Sequence, residues 1–502
     1  MGTAQTTQGS VEAPRVASTP EPSCPAPFVG SCERVRVPFD WSAPEGERIE
    51  IFVDRVVPRP QATAQLFLVQ GGPGLSVQGM LPLAKELARA MPQVEIILFE
   101  RRGVGLSHKL ECPSVQTGDS FLEACAKGLR STWGPRLAHF GTEAAARDLV
   151  YAAEHLRAPG QQSFMYGVSY GTALVQRAAW LRPELFAGAV LDSTVTSEVL
   201  LSRFDAYGDA AGARLAQSCS ESRDCVASVG QDPVGRLQRA KTLLQAGHCP
   251  EANLDADFRV EIAQMLRSYD RAPLALVALS HYERCTPASL SALGSLRDAL
   301  AAPEQGDALS SLATYLTVGF SELWETPAPN RAEIDERFRA SVFPTNIRGI
   351  AALQGLWPTY AAEPLRSNMP GNLPVLMLSG GLDPQTPEAA AARFAERFGA
   401  RQTWALVPAA THGVAQQSPY AGADGHTRQC GQELIAAFVG APEAQLDLRC
   451  TLQVPLAPTQ HGLEAAALFG GSTATTQRQR SPAVGGAWYA LGAFRPGHNA
   501  AP

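Results

Sequence analysis

The chain has 502 residues, 45% of them hydrophobic and 18% charged, enough for one large domain with insertions or for two to three smaller ones. Its net charge of −6, without any Lys/Arg cluster, excludes a dedicated nucleic-acid binder. No apolar run reaches the length of a membrane span, the longest candidate, Ala272 to Ser280, being short and interrupted.

The ten cysteines, an even number, read as up to five disulfides in an oxidising compartment, with free buried thiols as the other reading. No Cys-x-x-Cys occurs, and the close couples Cys24/Cys32 and Cys219/Cys225 lack the extra His or Cys of a zinc site, so no metal is expected. Met1 to Ser23 is polar and has neither a basic start nor an apolar core, so it is not an uncleaved signal peptide. The expected location is secreted or periplasmic with the signal absent from this chain, the alternative being cytoplasmic.

Residues 1–23 read as a disordered leader rich in Pro, Thr and Ser. Val35 to Phe39 and Arg48 to Val57 pattern as strands around the turn-forming Ala43-Pro44-Glu45-Gly46-Glu47, an antiparallel start. Gln65 to Val69 is a buried strand that ends in Gln70-Gly71-Gly72-Pro73-Gly74, a loop whose amides no bulky side chain obstructs. Met80 to Met91 has helical spacing, and the strand Val94 to Phe99 runs into the turn Glu100-Arg101-Arg102-Gly103-Val104-Gly105-Leu106-Ser107. A helix from Thr142 to Leu156 follows, with Thr142 as its expected N-cap.

Then comes Ser163 to Tyr166 as a strand, Gly167-Val168-Ser169-Tyr170-Gly171 as a tight turn, and Thr172 to Leu181 as a helix. The pentapeptide has the Gly-x-Ser-x-Gly form that lifts a serine hydroxyl out of the backbone between strand and helix, and the flanking elements are what a chance match lacks. Ala187 to Asp192 is the next strand. Residues 194–348 lose buried strands and become Ala/Leu/Arg-rich, which reads as a helical insertion overhanging the sheet, with Cys219, Cys225, Cys249 and Cys285 as candidate staples. The sheet resumes at Leu373 to Ser379, before Gly380-Gly381-Leu382-Asp383-Pro384, and at Gln402 to Val407, before Thr411-His412-Gly413. Cys430 to Val439 reads as a last helix, and residues 451–502 as a low-complexity tail.

Acyl transfer to a serine needs a base, a carboxylate that orients the base, and donors for the oxyanion. Ser169, Asp383 and His412 occur in the chain order of α/β-hydrolases, the last two on loops just past strand ends. The oxyanion donors are expected to be the amides of Tyr170 and Gly72, since Pro73 has none. His426 and His461 compete for the base and Asp192 for the acid. The expected architecture is therefore a mostly parallel sheet with helices on both faces, in two core parts (24–193 and 349–450) around a cap at 194–348.

Together, Gly71-Gly72-Pro73-Gly74-Leu75-Ser76, Arg102-Gly103-Val104-Gly105-Leu106-Ser107, Gly167-Val168-Ser169-Tyr170-Gly171-Thr172 and Gly381-Leu382-Asp383-Pro384-Gln385-Thr386-Pro387 resemble the proline iminopeptidase and tripeptidyl aminopeptidase group of secreted α/β-hydrolases. The resemblance spans about Cys24 to Cys450. It implies a cofactor-independent serine exopeptidase that releases an amino acid or tripeptide from a free N-terminus, with esterases among its relatives. It also implies cysteines like Cys112/Cys125 and Cys430/Cys450, and export. Gln70 and Glu100-Arg101 depart from the iminopeptidase branch and favour the tripeptidyl one. A substrate ammonium would need a carboxylate from the insertion, for which Glu198, Asp205, Glu221, Glu322 and Glu325 are candidates. A carboxylesterase or amidase using the same three residues is the alternative function. The expected partner is a peptide or a small ester or amide, and the oligomeric state stays open.

Overall fold

A computed structural model describes residues 19–20, 23–112, 121–301, 307–460 and 463–470. The expected leader and His461 thus lie largely outside the described residues, as does the tail beyond residue 470.

The sheet is assembled from apolar runs whose alternate side chains face opposite layers. Its strands are β1 (Thr19–Pro20), β2 (Ser31–Pro38), β3 (Arg48–Arg55), β4 (Ala64–Val69), β5 (Val94–Phe99), β6 (Gln162–Val168), β7 (Gly188–Asp192), β8 (Val375–Gly380) and β9 (Gln402–Val407), in the order 1-2-3-5-4-6-7-8-9. The pairings among β1, β2, β3 and β5 are antiparallel. From β5 through β9 every pairing is parallel. β1 pairs Thr19 with Arg34 and Pro20 with Glu33, so part of the expected leader joins the sheet edge.

Helices α1 (Leu81–Ala90), α2 (Phe121–Thr132), α3 (Thr142–His155) and α4 (Tyr170–Leu181) follow in the first half. On β4, Phe67 and Val69 pack with Leu149 of α3 and Leu174 of α4. Leu66 and Leu68 face the other way, onto Leu83 and Leu87 of α1. This two-sided burial is what a parallel sheet requires and why its strands read as continuous apolar runs.

Between β7 and β8 lie α5 (Phe204–Glu221), α6 (Arg223–Val229), α7 (Pro233–Gln245), α8 (Ala256–Met265), α9 (Ala272–Arg284), α10 (Pro287–Leu300), α11 (Leu312–Glu322), α12 (Arg331–Ala340) and α13 (Ile347–Ala351). Leu215, Leu276, Leu293 and Phe343 belong to a core separate from the sheet layers. Helix α11 does not join it: Ala313, Leu316 and Val318 pack in the layer that holds α3 and α4. The chain returns to that layer through Trp357, Met369 and Leu373.

After the insertion come α14 (Glu388–Ala395), α15 (Cys430–Gly440) and α16 (Leu463–Phe469), with the hairpin β10 (Pro419–Ala421) and β11 (Thr427–Gln429) before α15. Ala465 and Leu468 of α16 are buried in the insertion's core, and Glu464 pairs with Arg271 at 3.0 Å. The expected tail therefore contains an ordered helix. All ten cysteines pair: Cys24–Cys32, Cys112–Cys125, Cys219–Cys225, Cys249–Cys285 and Cys430–Cys450. Five disulfides suggest an extracellular protein. Among the described residues, no helix is long and apolar enough to cross a membrane.

Asp54, in β3, is fully buried, with the Gly30 amide as a backbone donor beside its carboxylate. Burial pushes its carboxyl up to about 6. Because the folded value lies above the unfolded one, the protonated form's contribution is complete below the unfolded value and lost as pH rises through 6. Asp54→Asn is expected to raise stability above that point and to change little near pH 4, read by urea unfolding at both pH values.

Candidate active site

Ser169 sits between β6 and α4 with φ 56° and ψ −129°, a backbone conformation that costs a non-glycine residue about 1–3 kcal/mol. The turn holds because its amide donates to the Asp192 carbonyl at 2.9 Å while its own carbonyl accepts from the Thr172 amide at 2.9 Å and hydroxyl at 2.6 Å. Close approach is the reason for glycine at 171, where a Cβ would lie 2.4 Å from the Val69 carbonyl oxygen. The glycine loop after β4 runs beside the serine, so that a Cβ on Gly71 would come within 2.8 Å of the Ser169 Cβ. Gly72, at φ +119°, adopts a conformation that side chains rarely tolerate.

Asp383 follows β8 and His412 follows β9. The His412 Nδ1 stands 2.9 Å from Asp383 Oδ2 and 3.1 Å from Oδ1, and both residues are 3% exposed. Asp383 Oδ1 also accepts from the amides of Gln385 (2.8 Å) and Thr386 (2.9 Å), and Oδ2 from the Thr386 hydroxyl (2.6 Å). Burial alone would raise the Asp383 carboxyl, but facing His412 and the Thr386 donors hold it below the ordinary carboxylate value. Because the carboxylate only accepts, Nδ1 carries the hydrogen, and in the neutral ring Nε2 is left as an acceptor.

The competing groups have other tasks. Asp192 is fully buried and its oxygens accept from the Val414 amide (2.7 Å), the Ala415 amide (2.9 Å) and the Tyr166 hydroxyl (2.7 Å). It anchors the histidine loop, while its backbone carbonyl holds the Ser169 amide. His426 lies exposed where β10 turns into β11.

A small cleft of about 60 Å³ adjoins the Asp383 turn, with walls that include Phe204, Phe343, Ile350, Arg267 and Gln385. Gln385 follows the Asp383 turn, and the Arg267 carbonyl accepts from Thr411 beside His412 at 3.1 Å. Of the five carboxylates expected to meet an ammonium, Glu198 pairs with Arg393 and Glu325 with Arg203 and Arg337. Glu322 accepts from Thr142 and Tyr360. Glu221 is exposed at the end of α5. Asp205 is buried next to the cleft residue Phe204, and its Oδ1 accepts from the amide and hydroxyl of Thr345, another cleft residue, both at 2.6 Å.

Nothing in the sequence assigns Arg101 a task at the site. Its Nη1 donates to the Pro73 carbonyl at 3.2 Å and to the Tyr170 hydroxyl at 3.1 Å, and its Nη2 to the Phe140 carbonyl. Its place in the turn after β5, level with the glycine loop after neighbouring β4, was the available signal.

Residues 65–414 match the alpha/beta hydrolase fold family. A tripeptidyl aminopeptidase of Streptomyces coelicolor is 28% identical over 194 residues, covering 33% of this chain and 35% of that protein. Another, of Streptomyces lividans, is 29% identical over 197 residues, with coverage of 33% and 35%. The chain thus aligns with about a third of the length of these curated relatives. A solved proline iminopeptidase of Mycobacterium smegmatis is 14% identical, covers 82% of this chain and 98% of its own, and has a TM-score of 0.35.

Proposed function

We propose that this chain, which belongs to the alpha/beta hydrolase family, is a serine exopeptidase releasing N-terminal residues or tripeptides through an acyl-enzyme on Ser169. The observation that carries the reading is the buried Asp383–His412 pair at 2.9 Å, on loops tied through Asp192 to the strained Ser169 turn. In this mechanism His412 Nε2 takes the Ser169 proton as Oγ attacks the carbonyl, then returns it to the leaving amine. Asp383 fixes the ring and compensates its charge. The amides of Gly72 and Tyr170 meet the oxyanion. Water then hydrolyses the ester with His412 again as base. The five disulfides fit a secreted or periplasmic enzyme.

N-terminal specificity is supported by the partial likeness to tripeptidyl aminopeptidases and by Asp205, the candidate carboxylate whose neighbours form the cleft wall. A second reading, a carboxylesterase or amidase that needs no substrate amine, is favoured by the pairing of Glu198, Glu322 and Glu325 with protein groups. Matched peptides with free and acetylated N-termini separate the two. The exopeptidase reading expects cleavage of the free-amine peptides alone, and equal cleavage of both would remove it.

A further inference from the structure

We propose that Glu322, at the end of α11, is a positioning residue that holds the oxyanion-binding loop in place through Thr142, Tyr170 and Arg101. The proposal rests on the reading of Ser169 as nucleophile with Gly72 and Tyr170 as donors. It assigns Glu322 to the donor geometry rather than to the substrate's amine.

The chain of hydrogen bonds has only one direction. The Glu322 carboxylate is an acceptor: Oε1 takes the Thr142 amide at 2.9 Å and the Tyr360 hydroxyl, and Oε2 takes the Thr142 hydroxyl. Having donated its one hydrogen to Glu322, the Thr142 Oγ1 must accept from Tyr170, whose hydroxyl oxygen lies 2.5 Å away. The Tyr170 oxygen in turn accepts from Arg101 Nη1 at 3.1 Å, and the same nitrogen reaches the Pro73 carbonyl at 3.2 Å. Thr142, Tyr170 and Arg101 are all buried. Burial also pushes the Tyr170 hydroxyl up to about 12, so it keeps its proton and remains a donor across the working pH range.

Two links of this chain touch the proposed oxyanion donors. Tyr170 supplies one amide itself, and Pro73 is bonded directly to Gly72, which supplies the other. The N-terminal end of α11 braces the same loop independently: the Ser311 amide donates to the Gly74 carbonyl at 2.8 Å, and the Ser310 hydroxyl accepts from the Ser76 amide at 3.0 Å. These bonds accompany the packing of α11 with the sheet layer. A carboxylate at 322 thus polarises and orients four linked groups, and a neutral amide there leaves either Thr142 or Tyr360 facing a donor.

The test uses p-nitrophenyl acetate, which has no amine, together with phenylboronic acid as a mimic of the tetrahedral adduct. Glu322→Gln is expected to lower kcat about tenfold with KM within about twofold, and to weaken boronate binding by a factor similar to the loss in kcat. Tyr170→Phe retains its amide but breaks the chain, so it should show the same split, and the double variant should be no worse than either single one. Thr142→Ser keeps the hydroxyl and should preserve the wild-type values, whereas Thr142→Val should reproduce the loss even if Glu322→Gln fails to fold. Unchanged kcat and boronate affinity in the folded variants would overturn the proposal. So would a defect confined to KM for free-amine peptides, which would make Glu322 an ammonium ligand. Failure of the underlying hydrolase reading looks different, because the wild type itself would then neither turn over the ester nor bind the boronate.

Discussion

Ser169→Ala is expected to lower kcat/KM on ester and peptide substrates by about 10⁴-fold or more while leaving the unfolding transition close to that of the wild type. The hydroxyl is the nucleophile in this account, and the fold depends on the backbone of residue 169 rather than on its Oγ. The amide bond to Asp192 and the carbonyl bonds from Thr172 all survive in alanine. His412→Ala should lose a comparable factor, and the double variant little more, because the two groups act in one step. Asp383→Asn is expected to cost about 10⁴-fold in kcat, since an amide facing His412 Nδ1 favours the wrong tautomer. Steady-state kinetics of the three variants, with circular dichroism to confirm folding, check this. A Ser169→Ala protein retaining a tenth of the wild-type rate would contradict it. Acid should also suppress the wild-type rate, because a protonated His412 cannot accept the serine proton. The depressed Asp383 carboxyl adds a stability term with the same sign, present at neutral pH and lost as pH falls through its folded value.

Arg102→Met is expected to destabilise the fold by about 3–5 kcal/mol, because it leaves a buried carboxylate without its partner. Arg102 and Asp148 are both fully buried, joined by two bonds of 2.6 Å, one from Nε and one from Nη2. Nη1 also donates to the carbonyls of Phe39 (2.7 Å) and His139 (2.8 Å), and Nη2 to that of Pro38 (2.9 Å). One guanidinium thus ties the end of β2, the segment before α3 and α3 itself to the turn that carries Arg101. Removing the partner charge as well, in Arg102→Met/Asp148→Leu, should recover part of the loss, since an apolar pair of similar size avoids the unpaired charge. Denaturant unfolding of the single and double variants measures both effects. A single variant within about 1 kcal/mol of the wild type would show that solvent relieves the site.

Much of the candidate site was legible because its chemistry follows each strand at a fixed distance. The Gly167–Gly171 turn, the Asp383 turn and the His412 loop each begin within a few residues of a buried apolar run, and such runs are easily read. What could not be read was where side chains find partners far along the chain. Thr142 was expected to cap α3; instead Gly141 stands at the cap position and the Thr142 side chain serves Glu322 and Tyr170. Asp192 counted as a rival acid until the amides of Val414 and Ala415 accounted for its oxygens.

The insertion was harder to divide for a related reason. Helix α12 buries only Ile334 and Phe338, too sparse a stripe to set a period against its many charges. Leu463 to Phe469 lies in an alanine-rich stretch that resembles low-complexity chain, and its helix gains stability only where Ala465 and Leu468 meet the insertion's core. Composition could not show that α11 belongs with the sheet layer, because its apolar residues would suit either core.

The central claim is that Ser169 is the nucleophile, and covalent trapping tests it most directly. The protein is reacted with a fluorophosphonate and digested, and the modified peptide is identified by mass spectrometry. One adduct is expected on the peptide containing Gly167 to Gly171, located on Ser169, and none in Ser169→Ala. An unlabelled wild type, or an adduct on another serine that persists in Ser169→Ala, would contradict it.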